Sequence, residues 1–375
     1  MMLPSHPNPA LTVGDDNKQG WNQPHQRRVG FHNAHLLFRR TLMVRSRRVL
    51  TLSDRPDALI AARIAETGLT THPAFSALVV AQGTDCLFQA AAPDFAPDRA
   101  HSVQSISKMH IHLIIGELLA DGRLGAGDCI GDLMPWIGSA YATARVQDLL
   151  DMNLENDFSE DYSNPQADCF QEEEALGWRL PKNDAPEQTL RDFVASLAGP
   201  CSVNTSGYAQ YKSANTDVLT LIAARFVDLQ RHVEVIADAV GYEGAFHISL
   251  SPEHLPAFSG GGCLSARDLA RFGLLLTRKG RAVYGTSVGS ADLLQRSLSG
   301  AGTLLGRKRG PIRYCNHLMT NGRWLGHAGY GGQFLMADMQ SGRVAAFLSV
   351  LENQSGYDDE YMSRVIAGLE SICCN

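Results

Sequence analysis

The feature that most constrains this chain is Ser105-Ile106-Ser107-Lys108, an S-x-x-K at the head of a long apolar stretch. Residues three apart on the first turn of a helix share a face, so the Lys108 side chain can reach back to Ser105. A serine hydroxyl becomes a nucleophile at neutral pH only with a base at hydrogen-bond distance. The run from Met109 to Asp121 is apolar enough for a buried central helix, and Gly122 supplies a C-terminal stop. Ser105 is the only serine followed three positions later by lysine, and lysine itself occurs only at 18, 108, 182, 212, 279 and 308. A lysine spent at the start of an apolar helix points to its titratable amine rather than to its charge.

With 375 residues, 44% hydrophobic and 19% charged, the chain can bury a core for one large domain or two interleaved lobes. A net charge of -6 argues against nucleic acid as a partner. The arginines over 39–48 are interrupted by apolar residues and read as a helix face or strand flank. The N-terminus lacks the basic and apolar regions of a secretion signal, and no apolar run is long enough to cross a membrane. Eight cysteines show no C-x-x-C and no regular spacing, as expected of thiols in a reducing compartment. The expectation is a cytoplasmic protein without nucleic-acid or membrane partners; a homodimer is compatible with the sequence.

Along the chain, residues 1–20 read as a loose arm and 54–69 as a helix. The stretches 75–81 and 86–91, joined by Gln82-Gly83-Thr84-Asp85, read as a hairpin. From 126 to about 250 the pattern turns helical, with helices over 145–152, 189–197 and 217–240. Thr189 with Asp192, and Ser265 with Asp268, form capping boxes. A second hairpin over 333–339 and 344–351 precedes a closing helix over 358–369. The implied architecture is α/β (α+β): an antiparallel sheet from 21–125 and 255–375 flanked by helices, with an all-helical lobe over 126–254 inserted.

Two further segments supply what a Ser-Lys pair needs. Tyr211-Lys212-Ser213 stands at the start of a helix beginning near Asn215, where a phenol can sit beside Ser105 and Lys108. Gly326-His327-Ala328-Gly329-Tyr330-Gly331-Gly332 leads into a strand, and glycines there let the backbone come close to a ligand.

In order and spacing these elements resemble the serine β-lactamase and penicillin-binding-protein superfamily, on its class C β-lactamase and esterase branch. More closely, the chain resembles the 6-aminohexanoate-dimer hydrolases, which cleave nylon oligomers. Glu160-Asp161-Tyr162, Gly177-Trp178-Arg179, 211–219 and Ala266-Arg267-Asp268-Leu269-Ala270-Arg271 extend the likeness. The resemblance implies a β-lactamase/transpeptidase-like fold and a small amide or ester substrate, with no cofactor and no metal. It implies Ser105 as nucleophile, Lys108 as base and Tyr211 as proton relay. Backbone N–H groups of Ser105 and Tyr330 would form the oxyanion hole. Tyr162, Glu173, Ser213, Ser259, His327 and Gly329 would contact substrate, Glu173 through an amino group. Burial is expected to push the Lys108 pKa down, the direction a base requires.

The chain departs from the pattern at several positions. Ser213 replaces a lactamase asparagine, Ser259 an asparagine of the nylon-oligomer enzymes, and His327 the lysine of K-T-G. Met362 stands where those enzymes carry a histidine. An ester or an uncharged amide therefore fits, with a small amide preferred and a carboxylesterase as alternative. Intact Ser105, Lys108 and Tyr211 argue against a silent binding protein. Gly285-Thr286-Ser287-Val288-Gly289 has the letters of a nucleophile elbow but no preceding strand and no later histidine after His327. His110 and His112 lie two apart on a helix and cannot face one metal ion.

Overall fold

The computed structural model describes residues 18–181 and 185–374; the expected arm over 1–20 lies mostly outside them. A nine-stranded sheet forms the centre, and it joins the two ends of the chain. Its middle is the ladder between Phe75–Gln82 and Arg343–Ser349, antiparallel with Phe347 opposite Leu78 and Ala345 opposite Val80. The two hairpins read from sequence flank this ladder: Phe75–Gln82 with Asp85–Ala91, and Gln333–Asp338 with Arg343–Ser349. Trp324–Gly329 adds antiparallel to Gln333–Asp338, with Gly329 opposite Gln333.

Side-chain alternation explains why this sheet is covered on both faces. Ala77, Val79 and Ala81 point into the larger core, where Phe272 and Leu276 of the helix Ala266–Thr277 also pack. Leu78 and Val80 point the other way, into a cluster with Phe347, Val365 and Leu369 of the helix Asp359–Cys373. Each buried valine, leucine or phenylalanine among them contributes roughly 1.5–3 kcal/mol.

The helix Lys108–Ala120 is buried almost throughout and packs against Ser213–Ala223. Expected as one helix, 217–240 is two, Ser213–Ala223 and Leu229–Val240. The second starts afresh where the Asp228 carboxylate accepts the Arg231 N–H, an N-cap that ends the first helix's continuity. The expected helix over 54–69 is shorter, Ala58–Thr67, begun by the Asp57 cap and closed by left-handed Gly68. Both capping boxes carry their cap bond, Thr189 Oγ accepting from Asp192 N and Ser265 Oγ from Asp268 N.

The stretch 126–254 is mainly helical. It also holds a two-strand ladder, Leu154–Glu155 with Ser202–Val203, and the strand Ala245–Ser249. That strand belongs to a four-stranded sheet with Thr41–Arg45, Gly262–Leu264 and His101–Ser102. The arginine-rich stretch thus contributes the edge strand Thr41–Arg45. No helix among the described residues is long and apolar enough to cross a membrane.

Candidate active site

Ser105 sits where the four-stranded sheet hands over to the central helix. His101–Ser102 pairs with Gly262–Leu264, and Val103 N continues the ladder to Gly262 O at 3.0 Å. The chain then turns sharply, with Gln104 held at φ +50°, a left-handed conformation costly for a residue with a Cβ. Ser107 secures the turn: its hydroxyl donates to Gln104 O at 2.6 Å and accepts from Gly262 N at 2.9 Å. Ser105 is thereby presented to a cavity of about 750 Å³ that Tyr162, Tyr211, Ser213, Ser259 and Tyr330 also line.

Behind it lies Lys108, wholly buried. Its Nζ is 3.2 Å from Ser105 Oγ, 3.0 Å from Ser213 Oγ and 2.5 Å from the Ser259 carbonyl. Three acceptors match the three N–H bonds of an ammonium. Burial alone pulls the Lys108 pKa down. The opposing pull of the neighbouring Tyr211 hydroxyl and of the Glu160 and Glu172 carboxyls outweighs it and raises the pKa above its ordinary value. The sequence-based expectation of a depressed lysine is therefore corrected: the resting group is an ammonium, because acids far away in sequence surround it.

Tyr211 enters at the head of the helix Ser213–Ala223. The Lys108 Nζ stands 5.1 Å from its ring centroid. Its hydroxyl is buried without a partner of full hydrogen-bond geometry. Burial raises its pKa, against the pull of the Lys108 charge and of Ser105. The phenol is therefore neutral at rest, beside a charged lysine.

The third segment closes the site. Trp324–Gly329 runs so near the turn before Ser105 that a Cβ at Gly329 would stand 2.5 Å from Val103 O. Glycine is required there by contact with backbone. Tyr330 follows on the cavity wall, its ring 5.5 Å from that of Tyr162. His327 is not part of the lining. Its Nδ1 lies 2.6 Å from Ala328 O and its Nε2 3.0 Å from the Tyr314 hydroxyl. Burial pushes its pKa down to about 3, so the ring is neutral and held behind the strand.

Ser213 proves to be a junction. Its hydroxyl donates to Glu160 Oε1 at 2.8 Å while its N–H donates to Glu160 Oε2 at 2.6 Å. The Tyr162 hydroxyl reaches the same carboxylate at 3.2 Å. Glu160 is a residue of the cavity wall that sequence reasoning passed over, although it stands two places before Tyr162 in a motif already singled out. Glu173 does line the cavity, but Lys18 and Arg179 both hold it at 2.5 Å. Burial would raise its pKa; the two cations reverse that and lower it.

Its neighbour Glu172 is a second omission. Glu172 and Asp217 are buried carboxyls in mutual contact with the Ser259 hydroxyl beside Asp217, and Glu172 Oε1 and both Asp217 oxygens have no partner of full hydrogen-bond geometry. Burial raises both, Asp217 to about 6 and Glu172 well above the usual carboxylate range. Such a pair is satisfied by holding a proton between its members. No sequence spacing marks it, since the partners come from different helices.

The alternative motifs fall elsewhere. Ser287 lies in an exposed loop far from any strand-to-helix elbow, and Gly289 N is tied to Glu117 Oε1 at 2.9 Å. His110 stacks on Phe246 at 4.6 Å, while His112 Nδ1 bonds Asn316 O at 2.6 Å.

A family model described as Beta-lactamase matches residues 62–366. Over 217 residues the chain is 31% identical to a 6-aminohexanoate-dimer hydrolase of Paenarthrobacter ureafaciens, covering 56% of this chain and 54% of that protein. The match thus spans about half the length of that curated relative. A Bacillus anthracis structure provisionally named 6-aminohexanoate-dimer hydrolase superposes with a TM-score of 0.80 at 16% identity, covering 98% of each chain. A family VIII carboxylesterase superposes at 0.59 and 13%, covering 85% of this chain and 99% of its own. At those identities the two structures speak for the fold. With the matched segment running from the helix Ala58–Thr67 into the closing helix Asp359–Cys373, the chain belongs to the beta-lactamase family.

Proposed function

We propose that the protein is a serine hydrolase that cleaves a small amide through an acyl-enzyme on Ser105. The carrying observation is the Lys108 Nζ at 3.2 Å from Ser105 Oγ with Tyr211 beside both, at a cavity wall. The Lys108–Tyr211 pair must first give up one proton. Neutral Lys108 then takes the Ser105 proton as Oγ bonds to the substrate carbonyl carbon. The carbonyl oxygen becomes an oxyanion facing the N–H groups of Ser105 and Tyr330. As the C–N bond breaks, the Tyr211 phenol gives its proton to the leaving nitrogen and regains one from the Lys108 ammonium. Water repeats the sequence on the ester, its proton passing to the pair and the Ser105 oxygen leaving as a hydroxyl.

Tyr162 and Ser259 bound the substrate space, and Ser213 holds Lys108 in place. An ester substrate is the second reading, favoured by the uncharged His327, which leaves the strand Trp324–Gly329 without the cation that family relatives carry there. The test is covalent labelling. A fluorophosphonate should add mass to the peptide containing Ser105, and Ser105→Ala should lose hydrolysis of amides and p-nitrophenyl esters alike. Label on Ser287, or an active Ser105→Ala, overturns the reading.

A further inference from the structure

The helix Arg27–Leu37 lies ahead of the segment that the family model matches, yet it packs behind Tyr330 on the wall of the catalytic cavity. Its first residue, Arg27, is 2% exposed. Neutral oxygens hold the guanidinium: Nη1 donates to Leu351 O at 2.8 Å and Asn353 O at 2.7 Å, and Nε to Asn22 O at 3.1 Å and Asn22 Oδ1 at 3.0 Å. Burying a cation on neutral acceptors is costly. A planar fork of donors is the group that can serve so many acceptors from separate segments at once. What the fork gathers is Tyr330 and its successor. The guanidinium carbon stands 5.4 Å from the Tyr330 ring centroid, and the Tyr330 hydroxyl faces Asn22 and Arg27. Phe31, one helical turn on, meets the same ring at 6.1 Å. Gly356 closes behind the hydroxyl, where a Cβ would collide with it. Gly331 is held from both sides by the segment that Arg27 grasps. Its N–H donates to Gly356 O at 3.1 Å, and its carbonyl accepts from Leu351 N at 2.9 Å.

We infer that Arg27 is a positioning residue for hydrolysis, and that its fork fixes the Tyr330 N–H as an oxyanion donor. The need for an outside clamp follows from the sequence. Tyr330 is flanked by Gly329, Gly331 and Gly332, and the last two hold φ at +87° and +104°. Glycine restricts the backbone less than any other residue, so a peptide between glycines has no strong direction of its own. Gln333 Nε2 donates to Tyr330 O at 3.0 Å and orients the peptide that follows Tyr330. The peptide that carries the N–H precedes it and needs a second handle. The ring is that handle. With Cβ held through the ring and the carbonyl held through Gln333, the tetrahedral Cα leaves its nitrogen one place. Arg27 acts on the ring directly and on Gly331 through residues 351–356. A displacement of about 1 Å in a reacting geometry can cost about 10²-fold in rate. The assignment rests on the reading of Tyr330 as an oxyanion donor for acylation of Ser105.

The experiment measures single-turnover acylation by p-nitrophenyl hexanoate in Arg27→Lys and Arg27→Met, each rate divided by the fraction of sites that a fluorophosphonate titrates. That division removes protein lost to misfolding, which is all that a merely structural role would change. Lysine keeps the charge and loses the fork, so both variants should acylate about tenfold to a hundredfold more slowly per titrated site. Half-saturation by the ester should keep its wild-type value. Hexylboronic acid, whose adduct on Ser105 places an oxygen where the oxyanion forms, should bind more weakly by the same factor, and hexanamide should not. Tyr330→Phe removes the hydroxyl that faces Arg27 and keeps the backbone N–H. It should slow acylation by a smaller factor and add little to Arg27→Lys. Wild-type acylation per titrated site in the Arg27 variants overturns the assignment, as does equal weakening of boronate and amide. If neither Arg27 variant folds, Tyr330→Phe decides: slowed acylation per site supports the clamp, and the wild-type rate overturns it. Labelled Ser105 with unchanged rates defeats Arg27 alone, while a wild-type enzyme that takes no label on Ser105 defeats the hydrolase reading and the assignment with it.

Discussion

Lys108 Nζ stands 3.0 Å from Ser213 Oγ, and that hydroxyl passes its own proton toward Glu160 Oε1 at 2.8 Å. The relationship links the proposed base to a carboxylate with which it makes no hydrogen bond. Serine does here what a longer side chain would do directly: it accepts from the ammonium and donates to the acid, so the field of Glu160 reaches Lys108 in a dry environment.

Glu160 raises the pKa of both Lys108 and Tyr211. The pair is therefore mostly protonated at neutral pH, and kcat/KM should climb as pH rises into the alkaline range. Glu160→Gln removes a negative charge, lowers both pKa values and moves this limb toward lower pH. A kcat/KM profile of the variant that superposes on the wild type would refute the link.

The Glu172–Asp217 pair makes stability depend on pH in a defined direction. Asp217 is raised to about 6 and Glu172 further, so the unfolded state releases these protons first. Their stabilising contribution is complete below the unfolded carboxyl values and is lost as pH rises through the folded ones. Asp217→Asn keeps a donor for Glu172 without a second charge. It should flatten the decline and gain roughly 1–3 kcal/mol at pH 8. Urea midpoints from pH 5 to 9 measure this; parallel curves for the two proteins would be inconsistent with a shared proton.

Glu173→Gln should act on folding before it acts on substrate. The change leaves Lys18 and Arg179, both largely buried, without their common carboxylate, at a cost of about 3 kcal/mol. Chemical denaturation at pH 7 gives the value. Unchanged stability with a raised KM confined to amines would instead assign Glu173 to substrate recognition.

Gly329→Ala tests the close approach of the third segment. Its Cβ would press on Val103 O, which belongs to backbone and cannot swing aside. Ser105 and Tyr330 should be pushed apart, lowering kcat by about 10²-fold, the scale of a lost oxyanion donor. Single-turnover acylation with p-nitrophenyl hexanoate checks this; a variant acylated at the wild-type rate would falsify the close-approach argument.

The sequence by itself determined the local pieces. The S-x-x-K helix, both hairpins, the Thr189 and Ser265 caps and the glycine segment are all legible because each depends on residues a few positions apart. Even the break after Ala223 is marked by Asp228, although continuous apolar periodicity masks it. What only the tertiary structure decided is the charge on each functional group. Lys108 finds Ser213 at a separation of 105 residues and Ser259 at 151, and Ser213 finds Glu160 at 53. Packing also turned His327 behind its strand and gave Glu173 two cations. A pKa is fixed by burial and by the sum of fields from everything nearby. Those neighbours come together only when the chain's two ends share one sheet, so the Ser-Lys pair could be read from four consecutive residues and the charge on its lysine could not.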